Sequence, residues 1–130
     1  MTALLEDALW NVEVLPSAAR TAAVTVDLVK PPGAVGVYVT VDVTVDGALA
    51  SITPSIQYET AAATGKYETL LSGTAIAAVG VFTYIVALGV GAAAEDVTKV
   101  APFPLPRNWR FSMAVADGDS ITYDVHASYV

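Results

Sequence analysis

Residues 37–45 read VYVTVDVTV, the most regular stretch of the chain. Valine stands at every odd position, and tyrosine, threonine or aspartate stands at every even position. Successive side chains of a β-strand point to opposite faces, so a period of two is typical of a strand, and a helix could not bring these valines to one side. The stretch predicts a strand with one face in the core and the other in water.

Clear alternation continues on both sides of this strand. Residues 24–28 place two valines and a leucine on one face and end at the turn-forming KPPG of residues 30–33. Residues 109–115 and 121–129 alternate in the same way around the Asp-Gly-Asp of 117–119, which predicts a hairpin. Their inward side chains are expected to be Trp109, Phe111, Met113, Val115, Ile121, Tyr123, Val125, Ala127 and Tyr129.

Three further stretches predict shorter strands. Residues 12–15 make a strand that Pro16 is expected to stop, because proline cannot donate to a ladder. Residues 52–58 make another, in which Pro54 indicates a sheet edge or a bulge. The third covers 67–71.

Residues 69–94 form a run of 26 residues without a formal charge. The run imitates a membrane span, but the β-branched and aromatic residues at 79–86 favour a strand. A lone membrane helix would also leave the alternating strands around it unexplained. We expect a strand over 76–88 that is apolar and buried on both faces. A connection over 89–106 should follow, with prolines that keep it out of a central ladder.

Seven or eight short strands with turns between them predict an all-β fold, an antiparallel β-sandwich of jelly-roll-like type. The 130 residues are expected to form a single β-sandwich domain over 17–130. Residues 1–16 are expected to be an N-terminal arm. Within it, Thr2 to Trp10 could make about two helical turns, or order only against a neighbour.

Composition narrows the classes of partner. A net charge of -7, with only six Lys and Arg residues, opposes a nucleic-acid partner because phosphate binding needs clustered cations. The chain has no cysteine, which excludes disulfides and thiolate chemistry. Glu6 and Asp7 stand where a signal peptide needs cations and an apolar stretch, so neither secretion nor a membrane partner is expected. The hydrophobic fraction of 55% indicates that other subunits cover part of the surface.

The candidate catalytic and metal-ligating residues have simpler structural explanations. His126, the only histidine, is expected on an outward strand face with Asp124 and Ser128 as neighbours, and a flat strand face rarely forms a catalytic triad. Asp117 and Asp119 could bind a hard cation, but the turn accounts for them.

The acidic strand faces also raise the paired carboxylates of a glycosidase, with Asp42 and Asp46 as the candidates. Nothing in the sequence places these two side chains across a cleft. GVGAAA at 89–94 lacks the context of a phosphate-binding loop. We expect no enzyme activity, no cofactor and no metal.

Four segments resemble a family of small virion proteins of tailed bacteriophages. They are SAARTAAVTVD at 17–27, GVYVTVDVT at 36–44, residues 51–76, and PLPRNWRFSMAVADGDSITYDVHASYV at 104–130. The shared motifs are the Ser-Ala-Ala-Arg-Thr opening, Gly-Lys-Tyr at mid-chain, Leu-Pro-Arg-x-Trp-Arg and Asp-Ser-Ile-Thr-Tyr. They stand here at Ser17–Thr21, Gly65–Tyr67, Leu105–Arg110 and Asp119–Tyr123. The resemblance covers about Leu15 to Val130, and the residues before it depart from the family.

This resemblance implies a structural protein of the virion, a capsid decoration or cement protein on the outside of the head, made in the host cytoplasm. The implied partners are the major capsid protein and copies of the chain itself, with a trimer as the implied assembly. Arg107 and Arg110 are expected to pair with acidic residues of the same chain or of a neighbour. The candidate contacts with another subunit or the capsid are Leu4, Leu5, Leu9, Trp10, Phe82, Tyr84, Phe103, Arg107 and Arg110.

A second hypothesis is a receptor- or glycan-binding module of a phage tail or head fibre that uses the loops at one end of the sandwich. The predicted loop tips lack the aromatic clusters that stack on sugars. A hydrolase is the third hypothesis, and it requires two convergent acidic or histidine-centred groups in one pocket.

Overall fold

The computed structural model describes residues 9–47, 50–88 and 97–130. This part of the chain forms nine strands, so the all-β prediction is confirmed and the expected seven or eight strands were too few. The strands are β1 (Asn11–Arg20), β2 (Val24–Val29), β3 (Val37–Val45), β4 (Ile52–Glu59), β5 (Tyr67–Ser72), β6 (Gly80–Val86), β7 (Lys99–Ala101), β8 (Asn108–Val115) and β9 (Ile121–Tyr129).

The strands form two sheets that pack into a sandwich. Sheet A has the order β1-β9-β3-β6-β7, and sheet B has the order β2-β8-β4-β5. Every pair is antiparallel except β6 and β7, which are parallel. Without β7, these are the two four-stranded sheets of a jelly roll, in which most connections cross from one sheet to the other. In the described part of the chain, no helix is long and apolar enough to cross a membrane.

The core lies between the two sheets, and its side chains come from the predicted alternation. Val37, Val39, Val41 and Val43 of β3 are all fully buried. In β8 and β9 the predicted inward side chains are also buried, apart from a half-buried Val115. Trp109 packs edge-on against Tyr129, with ring centres 6.0 Å apart. Local period-two patterning therefore determines which side chains enter the core.

Val45 is an exception to the predicted alternation. Its side chain is exposed rather than buried. The pairing of β3 with β9 shifts register between Val43 and Val45, which marks a bulge or irregularity. An additional residue in one strand changes the face on which the following side chain lies, so Val45 faces solvent.

The predicted hairpin of 109–115 and 121–129 is wrong. β8 pairs with β2 and β4 in sheet B, whereas β9 pairs with β1 and β3 in sheet A. The turn at 116–120 therefore carries the chain from one sheet to the other. Asp-Gly-Asp indicates a reversal of direction but does not specify which strands pair.

The uncharged run is also divided differently from the prediction. Ile76 forms an isolated bridge with Ile52, and the strand begins only at Gly80. On the inner face of β6, the side chains of Tyr84 and Val86 are buried. On the outer face, the side chain of Ile85 is buried. Val81, on that same outer face, is 63% exposed, so burial on both faces holds only for the second half of the strand.

The predicted connection over 89–106 contains the strand β7, which pairs with β6. Residues 89–96 of that connection, like Thr2 to Ala8 of the predicted helix, lie outside the described residues. β7 has only three residues and lies at the edge of sheet A. So short a strand has too few residues to show a period of two.

Two strands contain a proline, and one of these prolines, Pro16, was expected to end its strand. β1 continues through Pro16 to Arg20, so Asn11–Pro16 of the predicted arm belong to sheet A. Register shifts flank Pro16, and the Arg20 guanidinium donates to the carbonyls of Pro16 and Tyr123 at 2.5 and 2.7 Å. These bonds replace part of the ladder that proline interrupts.

Pro54 lies in β4, which is an internal strand of sheet B rather than an edge. Its carbonyl accepts from the Gly73 amide at 2.8 Å, just beyond the end of β5. The N and C=O of one strand residue point to the same side, so the missing N–H of Pro54 also faces the region where β5 has ended. An internal strand therefore accommodates this proline.

Candidate interaction surface

One end of the sandwich concentrates the exposed apolar side chains. β2, β6, β7 and β9 finish at this end, and β1, β3 and β8 begin there. Ten large apolar side chains of the described residues are exposed, and most of them lie here, so the molecule has one distinctly apolar end. We call this surface the apolar end; its side chains, 44–70% exposed, are Leu9, Val29, Val35, Leu88, Phe103 and Val130.

Backbone hydrogen bonds hold the segments of the apolar end together. The amide of Val35 donates to the carbonyl of Val130 at 2.7 Å, and the amide of Leu105 donates to the carbonyl of Val35 at 2.9 Å. The amide of Lys30 donates to the carbonyl of Arg107 at 2.9 Å. The segments 29–36, 103–107 and the end of β9 therefore form one ordered surface rather than separate loops.

Basic side chains border the apolar end. Lys30 and Arg107 line an open groove of about 340 Å³ together with Val29, Pro31 and Pro32. The Lys30 ammonium donates to the carbonyl of Ala34 at 2.5 Å, which holds it at the groove. The loop at 60–66 lies at the same end because Tyr58 pairs with Trp109 at the start of β8. This loop carries Lys66, and its Gly65 amide donates to the Glu59 carboxylate. An apolar centre with a charged border is typical of a protein–protein contact surface.

A second exposed apolar surface lies on the outer face of sheet A, toward the opposite end. Val81 is opposite Asp42, and Asp42 is in turn opposite Asp124 on β9. Val79 and Val45 are exposed beside them, 60% and 56% respectively. We call Val45, Val79, Val81, Asp42 and Asp124 the valine patch. Its charges are all negative, in contrast to the border of the apolar end.

His126 lies on the same outer face, as predicted, and its Nε2 lies 2.7 Å from a carboxylate oxygen of Asp124. The side chain is half-exposed, and this is the only close contact between a basic side chain and a carboxylate among residues 9–47, 50–88 and 97–130. The Ser128 hydroxyl donates to the Asn11 side chain at 2.8 Å instead of to His126. The histidine therefore has an acidic partner but no hydroxyl nucleophile hydrogen-bonded to it.

No group of three or more histidine, cysteine, aspartate or glutamate side chains in the described ranges could hold a metal ion. At the turn of 116–120, the Asp117 carboxylate accepts from the amide of Asp119 at 3.2 Å. One Asp46 oxygen likewise accepts from the amide of Ala50, at 2.7 Å. Both carboxylates therefore accept from a backbone amide two or four residues further along the chain, as short acidic side chains commonly do in loops.

The structure brings three of the predicted contact residues to the apolar end: Leu9, Phe103 and Arg107. Trp10 and Phe82 are partly buried against the core. Tyr84 is only 1% exposed, so its side chain is not accessible on the surface of this chain. Leu4 and Leu5 lie outside the described residues.

Arg110 is engaged within the chain, although not by an acidic partner. Its Nε donates to the Gln57 side chain at 2.5 Å, and its guanidinium lies 3.9 Å from the centre of the Tyr67 ring. Arg110 therefore lies on the outer face of sheet B, near the start of β8. The geometry is that of a cation–π contact.

Sequence reasoning missed several residues of the apolar end: Val29, Lys30, Val35, Leu88 and Val130. Val35 and Leu88 lie just outside strands, where large apolar side chains have no strand face to bury them. Their position just outside strands could have indicated that Val35 and Leu88 are exposed. Their proximity to one another depends on the topology and has no local signal.

The sequence matches no protein-family model, and no curated protein matches it.

Proposed function

We propose that the chain is a non-enzymatic structural protein of a virion, a capsid decoration protein that stabilises the head of a tailed phage from outside. The observation that carries the proposal is the apolar end, a surface of six exposed apolar side chains with basic neighbours. A monomer has no stabilising use for such a surface, whereas a lattice protein covers it with neighbours. The resemblance to small virion proteins supplies the kind of neighbour.

The architecture is compatible with that role. Jelly rolls form viral capsid domains, and they present loops at the ends of a rigid sandwich. Weak contacts that symmetry repeats across a shell can add up to tight binding without one large interface. A domain of 130 residues without disulfides is sufficient for such a task, since its own core supports it.

Depletion and add-back test the proposal. Heads of the phage that encodes the chain are prepared without it, and the purified chain is then added in increasing amounts. We expect saturable binding, density on the outside of the head in a cryo-EM map, and a higher temperature of head disruption. Density on the tail, or no binding, would contradict the decoration role.

The glycan-binding hypothesis has one observation in its favour. The outer face of sheet B carries hydroxyl and amide side chains around the Arg110–Tyr67 pair, and Tyr67 Oη donates to Asp27 at 3.4 Å. Jelly rolls also form lectin domains. Binding to a glycan array that Tyr67→Ala abolishes, together with tail localisation, would replace the decoration proposal.

A further inference from the structure

Two exposed surfaces of the described chain are complementary to each other. The apolar end and the valine patch both have exposed aliphatic side chains at their centres. The apolar end is bordered by Lys30 and Arg107, whereas the valine patch contains Asp42 and Asp124. We propose that the apolar end of one copy binds the valine patch of a second copy.

The arrangement of charge favours this head-to-tail contact over symmetric ones. Two apolar ends facing each other would bring Arg107 and Lys30 against their own copies. Two valine patches would do the same with Asp42 and Asp124. Like charges brought together in a contact are costly, and opposite charges favour encounter and specificity. Only a contact between the apolar end and the valine patch both covers the apolar side chains and brings opposite charges together.

A feature within one chain supports the same conclusion. Asp42 and Asp124 are directly opposite each other on neighbouring strands of sheet A. Like charges in such a cross-strand pair destabilise a sheet. Asp124 has the His126 ring as a partner at 2.7 Å, but Asp42 has no hydrogen-bond or ion-pair partner among the described side chains. An arginine from a second copy would supply the missing positive charge.

The contact joins an end of one molecule to a face of the next. Such a contact is heterologous, so it repeats until it closes a ring or extends a filament. Successive copies turn relative to each other because the patch is on a sheet face and not at the opposite tip. The inference concerns only copies of the chain and does not depend on capsid binding.

Charge reversal tests the inference on the purified chain. The variants are Arg107→Asp, Asp42→Arg and, as a control on the outer face of sheet B, Thr25→Asp. All three positions are wholly or partly exposed, so the fold should be retained, and circular dichroism verifies it. Sedimentation velocity over a concentration series measures association of each variant alone and of equimolar mixtures.

We expect wild type and Thr25→Asp to associate equally, and either charge-reversal variant alone to associate at least about tenfold more weakly. An equimolar mixture of Arg107→Asp and Asp42→Arg should regain association, because the reversed end of one chain matches the reversed patch of the other. Recovery in the mixture also excludes misfolding as the cause of the single-variant losses. Higher salt should weaken the wild-type complex.

Three results would overturn the inference. A wild type that is monomeric at every concentration removes the contact altogether. A mixture that stays dissociated when both single variants are folded removes the head-to-tail pairing. Stronger association of Arg107→Asp with wild type than of wild type with itself would show that two apolar ends meet instead. Binding to depleted heads by a monomeric chain would leave the decoration proposal standing and remove only this one.

Discussion

At the scale of residues, two core tyrosines show how much a hydrogen-bond partner matters. The Tyr129 hydroxyl accepts from the Trp109 indole at 3.2 Å, whereas the Tyr84 hydroxyl is buried without a partner among the described residues. Leaving a buried polar group unsatisfied costs about 1–3 kcal/mol, while a satisfied one is close to neutral or favourable. The same phenol therefore has opposite effects at two places in one core.

The matched substitutions Tyr84→Phe and Tyr129→Phe test this difference. We expect Tyr84→Phe to raise the free energy of unfolding by up to about 1 kcal/mol, because it removes an unsatisfied hydroxyl. Tyr129→Phe should lower it by about 1 kcal/mol, because the Trp109 N–H loses its acceptor. Urea unfolding followed by tryptophan fluorescence measures both, and a change of the same sign in both variants would refute the argument.

The buried tyrosines also predict loss of stability in alkali. Burial raises the pKa of Tyr84 from 10.0 to about 12, and burial also raises the pKa of Tyr123 and Tyr129. At a pH between the unfolded and the raised folded pKa of a tyrosine, the unfolded chain releases the phenolic proton that the folded core retains. The free energy of unfolding therefore falls as the pH rises. Below the unfolded pKa this contribution is fully present.

Unfolding measured from pH 8 to 12 should therefore show a plateau and then a decline that begins near the ordinary tyrosine pKa, about 10. Tyr84→Phe should make the decline of the free energy of unfolding shallower without lowering the pH at which the decline begins. An equally steep decline in that variant would show that Tyr84 does not contribute.

At the scale of elements, close approach between β3 and β6 limits what their junction tolerates. A Cβ added at Gly36 would lie 2.6 Å from the carbonyl oxygen of Val86 and 2.7 Å from the Cβ of Ala87. A Cβ at Gly118, in the turn between β8 and β9, would meet nothing within 4 Å. Gly36 is thus required by packing, and Gly118 is not.

Gly36→Ala should destabilise the fold by about 1–3 kcal/mol, because the backbone of the β3–β6 pair must move apart. Gly118→Ala should change stability by less than about 0.5 kcal/mol. Thermal unfolding of the two alanine variants compares the same chemical change at both places. Equal destabilisation would mean that the close approach is not maintained in solution.

Strand position within a sheet predicts a second difference between elements. β3 and β9 have neighbours on both sides in sheet A, whereas β7 has three residues at its edge. Amides of a short edge strand open locally, and those of central strands open only with the whole domain. Hydrogen exchange should be slowest at Val41 and Val125 and much faster at Val100. Equal protection would indicate that something else covers the edge at β7.

At the scale of the whole molecule, pairing between distant parts of the chain governs folding. β1 pairs with β9, which lies at the other end of the described sequence, and β2 pairs with β8. Sheet A has β9 between β1 and β3, so it is incomplete until the last strand has folded. Such topologies require large loops to close before contacts form.

Refolding should therefore take milliseconds to seconds, slower than for helical domains of this size. Stopped-flow dilution from urea, followed by tryptophan fluorescence, measures the rate. Refolding in microseconds would contradict the non-local pairing.

The sequence by itself determined most of the strands and most of the core. Alternation is a local property, because the faces of a strand are set by residues two apart; Val37 to Val43 therefore showed their buried face directly. Residues 79–86 of the charge-free run were predicted to form a strand, and β6 confirms that prediction. The outward position of His126 followed from the period of two in 121–129. These features need no knowledge of what lies opposite each strand.

Only the tertiary structure decided which strands are neighbours and which surfaces remain exposed. Pairing joins residues as far apart as Asn11 and Ser128, and a turn such as Asp117–Asp119 is compatible with either a hairpin or a crossing between sheets. The exposure of Val45 depends on a register shift, and the apolar end depends on several segments meeting. These properties arise from long-range contacts, which leave no periodic pattern in the sequence.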